Sequence, residues 1–437
     1  MGKINGMPEY CIRWCPIGRA KCFITLLALM FIVKTTSAQI ATDSIWNDNI
    51  KTVSLTRGGI ELEAPIIAMG ANDKMVLRFD LLAAQATDFR YHISHCDAEW
   101  HPDHLAPTDF ISGFEDGPID NYQFSFTTMH SYVNYYQSIP SEYTTFIASG
   151  NYILTVYLTD HPDSIVLTRR FMVTEELIDI EAACGKPTGP VGDMMRDQEL
   201  TVALTIKEGA ALSPSPQYLQ VVAWQNNRRD LVRTLPFSGY QRNQLMYRWK
   251  AENVFPGGNC FRYFDISNLR SPMYNVQRIE DAGGITMAFL RPEEDRSRKN
   301  YSFVKGLNGG MKVNVWNRND PQTEADYAWV NFSLPMEHPR IDGTIHIVGD
   351  LTDWHLDERS RMEWQPRYKA YTKRMLLKQG YYSYQLVFLP SGTDTGKTSV
   401  VEGDHYETPN SYTICVYLRQ PGALFDRLVA VRQIYNR

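Results

Sequence analysis

Short runs of alternating apolar and polar residues, rich in β-branched and aromatic side chains, recur along most of the chain and restrict it to one class of fold. Met75-Val-Leu-Arg-Phe-Asp-Leu-Leu82, Asn151-Tyr-Ile-Leu-Thr-Val-Tyr-Leu158, Leu200-Thr-Val-Ala-Leu-Thr-Ile206, Tyr218-Leu-Gln-Val-Val-Ala-Trp224 and Tyr412-Thr-Ile-Cys-Val-Tyr-Leu418 are each the length of a strand. Alternation places successive side chains on opposite faces, which suits a half-buried strand. Between these runs lie turn-forming clusters such as Ser149-Gly150-Asn151, Pro256-Gly257-Gly258-Asn259 and Gly283-Gly284. No long amphipathic helical stretch interrupts them. The chain therefore reads as all-β, built from tandem sandwiches.

At 437 residues the chain is long enough for several domains, each with its own core. The strand pattern Val166 to Val173 closes a first unit, and the polar turn Thr174-Glu175-Glu176 follows it. A second unit begins near Ile178 and is expected to close with Gly310-Met-Lys-Val-Asn-Val-Trp316, before the polar linker Asn317 to Glu324. A third then starts with Tyr327-Ala-Trp-Val-Asn-Phe-Ser-Leu334. The expected domains are thus 39–176, 177–322 and 323–437. No internal repeat or low-complexity tract is visible.

The first 38 residues have another character. Lys3, Arg13, Arg19 and Lys21 precede the apolar run Cys22 to Val33, and the small residues Thr35-Thr36-Ser37-Ala38 follow it. This order marks a secretory signal peptide cleaved after Ala38, and the apolar run is short for a bilayer span. Initiation at Met7 would shorten the leader. Without residues 1–38 the chain carries 39 basic and 48 acidic side chains, a formal charge of −9. Its densest basic cluster is only Arg296-Ser-Arg-Lys299, which argues against nucleic acid or an anionic membrane as the principal partner. Cys96, Cys184, Cys260 and Cys415 remain, too few and too scattered for a disulfide framework. The spacing leaves one bridge, Cys184 to Cys260, open.

One stretch invites a metal. Tyr91 to Pro107, YHISHCDAEWHPDHLAP, holds four histidines, a cysteine and three acids. In a strand, His92, Ser94 and Cys96 face one way and Ile93, His95 and Asp97 the other, so the candidate ligands are split. His101 and His104 flank Pro102 in a turn-like context, and neither a His-Glu-x-x-His helix pattern nor a Cys-x-x-Cys pair occurs. A zinc site gathering His95, Cys96, His101 and His104 is the sharper reading. A hydrogen-bonded strand end, with Trp100 folded back over the core, is the plainer one, and no metal or cofactor is expected.

Catalytic motifs are equally sparse. Gly392-Thr-Asp-Thr-Gly396-Lys397-Thr398 imitates a phosphate-binding loop, but its glycine spacing is one residue short and no helix pattern follows, so a hairpin loop is expected. The Gly-x-Ser-x-Gly elbow is absent. Asp116 with Asp120, and Asp350 with Asp353, are spaced as turn aspartates rather than as an acid and base pair. No catalytic residue is assigned.

A resemblance gives the chain a function. His95-Cys96-Asp97-Ala98-Glu99-Trp100, Phe110-x-x-Gly113-Phe114, Ile119 to Thr128, Tyr132-x-x-Tyr135-x-x-x-Ile139-Pro140, Ser149-Gly150-Asn151-Tyr152 and Arg169 to Val173 together resemble the first domain of the type IX secretion system plug protein family. Gln225-Asn226-Asn227 and Arg262-Tyr263-Phe264-Asp265-Ile266 resemble its second domain. The resemblance implies a non-enzymatic protein on the periplasmic side of the outer membrane. It would bind a very large translocon barrel and close its pore, with no nucleic acid or small-molecule substrate involved.

A plug needs a contact surface, and Phe110 to Tyr143 is dense in aromatic residues, which anchor protein interfaces. Phe124 and Phe126 alternate as buried strand residues do. Tyr132, Tyr135 and Tyr136 fall in a less regular, loop-like stretch and are the expected partner-binding residues, while at least half of the segment's aromatics are expected in the core. Farther on, Ile347-Val-Gly-Asp-Leu-Thr-Asp-Trp354, Tyr368-Lys-Ala370 and Leu377 to Leu386 resemble the early-set immunoglobulin-like modules of glycogen-binding proteins. That likeness implies an alternative function in carbohydrate binding, with Trp354 and Trp364 as candidate sugar-stacking residues.

Overall fold

The computed structural model describes residues 41–436 except 211, 213 and 214. The expected signal peptide, residues 1–38, lies outside them. Among the described residues the only α-helices are the single turns Pro107–Phe110 and Pro321–Glu324, and none is long and apolar enough to cross a membrane. The fold is all-β, a set of tandem β-sandwiches.

In the first sandwich one sheet contains Ser44–Ile45, His161–Thr174, Gly150–Leu158, Phe89–Cys96 and Asp116–Ile119, in that order, with Ile66–Ala68 running parallel beside His161–Thr174. The facing sheet has the order Ile50–Arg57, Met75–Leu81, Val133–Ile139, Tyr122–Phe124. Met75, Leu77 and Phe79 are buried and meet Phe89, Tyr135 and Val156 in one core. Phe79 and Tyr135 stack with ring centroids 5.0 Å apart, and Phe89 meets Tyr135 edge-on at 5.1 Å.

The second sandwich begins with Ile178–Gly185, paired with Asp197–Ile206. Its other sheet has the order Val232–Leu235, Leu219–Gln225, Ser411–Leu418, Arg427–Tyr435. Leu200, Val202, Val221, Ile414 and Val416 fill the space between them. The third sandwich lies between these pieces in sequence. Gly380–Pro390 pairs with Arg262–Asp265, Met311–Val313 and Gly343–Val348. Opposite stand Val276–Asp281, Thr286–Leu290, Tyr327–Pro335, Ala370–Lys378 and Glu363–Gln365, over a core that includes Phe264, Phe332, Ile347 and Tyr384.

This pairing corrects the expected boundary at 322/323. The third sandwich starts at Arg262, not near residue 323, and the C-terminal strands Ser411–Leu418 and Arg427–Tyr435 complete the second. Met311–Val313, expected to close the second unit, joins the third. Ser411–Leu418 shows why the local pattern misleads, for all eight residues are buried. Tyr412, Ile414, Val416 and Leu418 face the second core, while Cys415 and Tyr417 face a smaller cluster shared with the first sandwich. A strand covered on both faces carries no polar alternation to show which sheet it joins. The described residues form one compact unit.

Candidate functional site

At the histidine-rich stretch, strand Phe89–Cys96 carries His95 into the sandwich, where Tyr152 and Phe425 meet its ring edge-on at 4.9 and 5.4 Å. Its Nδ1 bonds Asp103, and its Nε2 lies 3.2 Å from the Ser149 carbonyl. Both ring nitrogens are therefore engaged. Gly150, at φ 147°, makes room: a Cβ there would stand 2.3 Å from Nε2. Burial alone would raise the Asp103 carboxyl, but the His95 hydrogen bond holds it below the usual carboxylate range. Cys96 is buried, and desolvation pushes its thiol up to about 12. Asp97 accepts the backbone N–H groups of Glu99 and His101 and stands 3.3 Å from the His101 ring, as a turn aspartate does. Among the described residues no group of three or more His, Cys, Asp or Glu is arranged around a metal position.

The phosphate-loop imitation is a hairpin loop. Phe388 and Lys397 exchange backbone hydrogen bonds of 3.0 and 2.7 Å, and Gly396 is held by Arg228 and Asp230 of the second sandwich. Asp116 pairs with Arg90 and Asp353 with Arg169. Asp350 accepts the Trp354 indole N–H at 2.7 Å, and burial raises its carboxyl to about 6. Cys184 and Cys260 are both free thiols. Trp354 packs edge-on against Phe261 and is buried, so it has no open face for a sugar ring, and the partly buried Trp364 leans on Tyr371.

The aromatic segment is arranged opposite to expectation. Tyr132 and Tyr135 are fully buried: they belong to the regular strand Val133–Ile139 or border it, not to a loop. Tyr135 lies in the first core, its hydroxyl donating to the Thr87 carbonyl at 2.9 Å. The Tyr132 hydroxyl donates to the Ala325 carbonyl at 2.8 Å, and the Lys378 ammonium sits 4.2 Å from its ring. Only Tyr136 is partly open, with Arg78 over its ring at 5.1 Å. Tyr132 and Tyr135 therefore cannot serve as partner contacts.

Phe124 and Phe126, read from their alternation as core, are exposed instead, as are Phe114, Tyr122 and Tyr143. Fewer than half of the segment's aromatics are buried. Tyr122–Phe124 is an edge strand paired on one side only, so all three of its residues face solvent. Tyr122 and Phe124 meet edge-on at 5.8 Å. Phe114 and Tyr143 lie on the short hairpin-like pair Ile111–Gly113 and Thr144–Phe146 or next to it. Both line a cleft of about 400 Å³ whose other wall includes Asp120 and Asn121, immediately before Tyr122. Phe114, Tyr143, Tyr122 and Phe124 are thus all exposed along one edge of the first sandwich, Phe124 beside Val133 and Tyr143 beyond the other end of that strand. No sequence signal separates them from the buried set, because an edge strand alternates just as an inner one does.

The family model of the type IX secretion system plug protein first domain matches residues 50–175. The chain belongs to the type IX secretion system plug family. The matched residues take in the first sandwich from strand Ile50–Arg57 onward, with its exposed aromatic edge and the buried His95 site. The chain is also similar over its length to a crystal structure of a hypothetical protein from Parabacteroides merdae ATCC 43184. The two are 31% identical with a TM-score of 0.87, and the match covers 90% of this chain and 99% of the other. No curated protein matches the sequence. Membership of the family supports a role in type IX secretion.

Proposed function

We propose that this plug-family protein works without enzymatic chemistry, in the periplasm at the inner face of the outer membrane, where it binds the large translocon barrel of the type IX secretion system and closes its pore. The observation that carries this reading is the row of aromatic residues exposed along one edge of the first sandwich, within the family-matched residues. Exposed Tyr and Phe side chains offer large rigid contact areas at little entropic cost, as interface anchors do. The three sandwiches are joined by buried contacts, so the body resists deformation as a stopper must.

The test is affinity purification of the tagged protein from detergent-solubilised outer membranes, together with the permeability of a deletion strain. Recovery of a very large barrel, and sensitivity of the deletion strain to large antibiotics that normally stay outside, are the expected results. A deletion strain with unchanged permeability while the translocon is present and otherwise open would refute pore closure.

A further inference from the structure

Where the three sandwiches converge there is a cavity of about 240 Å³, lined by Arg78 and Arg170 of the first, Arg229 of the second, and Asp350 and Asp353 of the third. This is below the roughly 300 to 1,000 Å³ of drug-sized sites, so an occupant would be small. Its charges are unevenly satisfied. Asp353 is spent on Arg169 at 2.9 Å, Asp43 accepts the backbone N–H of Arg170 at 2.7 Å, and Asp350 accepts the Trp354 indole. Glu61, on the cavity's outer loop, pairs with Lys312 at 3.3 Å, and Glu63 beside it is exposed.

The arginines are less well served. Arg170 directs Nε and Nη2 at one acceptor, the Ala41 carbonyl. Among the described residues the guanidinium groups of Arg78 and Arg229 have no hydrogen-bond acceptor; each lies over an aromatic ring, Arg229 at 4.7 Å from Trp224. Arg170 and Arg229 also share the Trp100 ring, at 4.8 and 5.8 Å from its centroid, two like charges held on one indole. Backbone strain concentrates around the same space. Thr52, Leu62, Asp353 and Trp354 line it with φ of 51°, 71°, 49° and 60°, and Trp100 has φ 70°. Left-handed backbone at β-branched or bulky residues is costly and gathers at binding sites.

We infer that this cavity is a binding site for a small oxyanion, a phosphate or a carboxylate, held by Arg229, Arg170 and Arg78. The planar guanidinium fork matches both anions. The site is independent of the plug reading. A ligand bound only by the assembled protein stabilises it by mass action, and here it would link the first and second sandwiches.

The test is calorimetric titration of the chain lacking residues 1–38 with inorganic phosphate and, separately, with acetate and succinate, at constant ionic strength set by chloride. Saturable binding of about one anion per chain is expected, with a rise in the unfolding temperature. Preference for phosphate or for the carboxylates identifies the source. Arg229→Gln and Arg78→Gln, made separately, should each weaken binding at least tenfold, whereas Arg432→Gln, which removes an exposed arginine outside the cavity lining, should leave it unchanged. No saturable binding by the unaltered protein would overturn the assignment. So would wild-type affinity in both cavity variants, or an equal loss in Arg432→Gln.

Discussion

The first sandwich meets the second through Ala98, Trp100 and Met172, which pack on Trp224, Tyr417 and Leu428. It meets the third through an ion pair, Asp80 with Lys378 at 2.6 Å, whose side chains are 1% and 0% exposed. Around that pair Asn134 donates to Asp80 at 2.7 Å, the Tyr327 hydroxyl donates to it at 2.6 Å, and Lys378 also donates to the Gln322 carbonyl at 2.7 Å. Burial lowers the Lys378 pKa, with Asp80 opposing. The apolar junction draws its stability from area and tolerates small shifts. The ionic one has desolvation to overcome and fails if either charge is left alone. One body therefore contains two junctions that should break by different rules.

Lys378→Met should have the largest effect. It leaves the Asp80 carboxylate buried without its cation, which costs about 3 to 5 kcal/mol. Adding Asp80→Asn removes the stranded charge and should recover most of that loss. Urea unfolding of the single and double variants measures both. A double variant no more stable than Lys378→Met would mean that the ion pair itself, not its desolvation balance, holds the junction.

Leu428→Ala tests the apolar side. Leu428 is fully buried, and its truncation should cost about 2 to 5 kcal/mol through lost burial and the cavity left behind. Leu428→Met, of similar volume, should lose less than about 1.5 kcal/mol. If both lost equally, this contact would depend on shape as strictly as its ionic counterpart does on charge.

Asp350 offers a third case, a half-buried carboxylate that has an indole donor but no cation in direct contact. Burial, with Asp353 nearby, raises its pKa to about 6 from an ordinary value of 3.8. The sign follows: the folded state holds this proton more tightly than the unfolded one, so the associated stability is complete below 3.8 and is lost as pH rises through about 6. Asp350→Asn has no proton to lose. At pH 8 it should be more stable than the parent by about 1 to 3 kcal/mol, and the difference should vanish toward pH 4. Unfolding midpoints across that range decide it, and a variant less stable than the parent at pH 8, with the deficit fading toward pH 4, would show that the carboxylate is needed in its ionised form.

These contrasts also mark where the sequence stops being informative. The all-β class was legible because strand period and turn residues are local properties, as in Met75 to Leu82. The insertion of the third sandwich into the second was not, since the choice of Leu219–Gln225 as partner for Ser411–Leu418 is made across almost two hundred residues. Asp80 reads as an outward residue of an alternating strand, yet it is buried because Lys378, Tyr327 and Asn134 converge on it from distant positions. The exposed aromatic edge was missed for a related reason. Phe124 has the pattern of a core strand, and only the missing neighbour on its far side exposes it.

The smallest stability effect should fall on that aromatic edge, and it bears most directly on function. Phe124 is 54% and Tyr143 69% exposed, so Phe124→Ser and Tyr143→Ser remove little buried area and should change unfolding free energy by no more than about 0.5 kcal/mol each. Tyr135→Ser, on the adjacent strand but inside the core, serves as the opposite control and should cost several kcal/mol, roughly as other large core truncations do. If the exposed aromatics anchor the translocon, the two surface variants together should fold normally by circular dichroism and yet lose the barrel on affinity purification, because interface energy concentrates in a few aromatic anchors. Retention of the barrel at parental yield would move the contact to another face of the protein while leaving every conclusion about the two junctions in place.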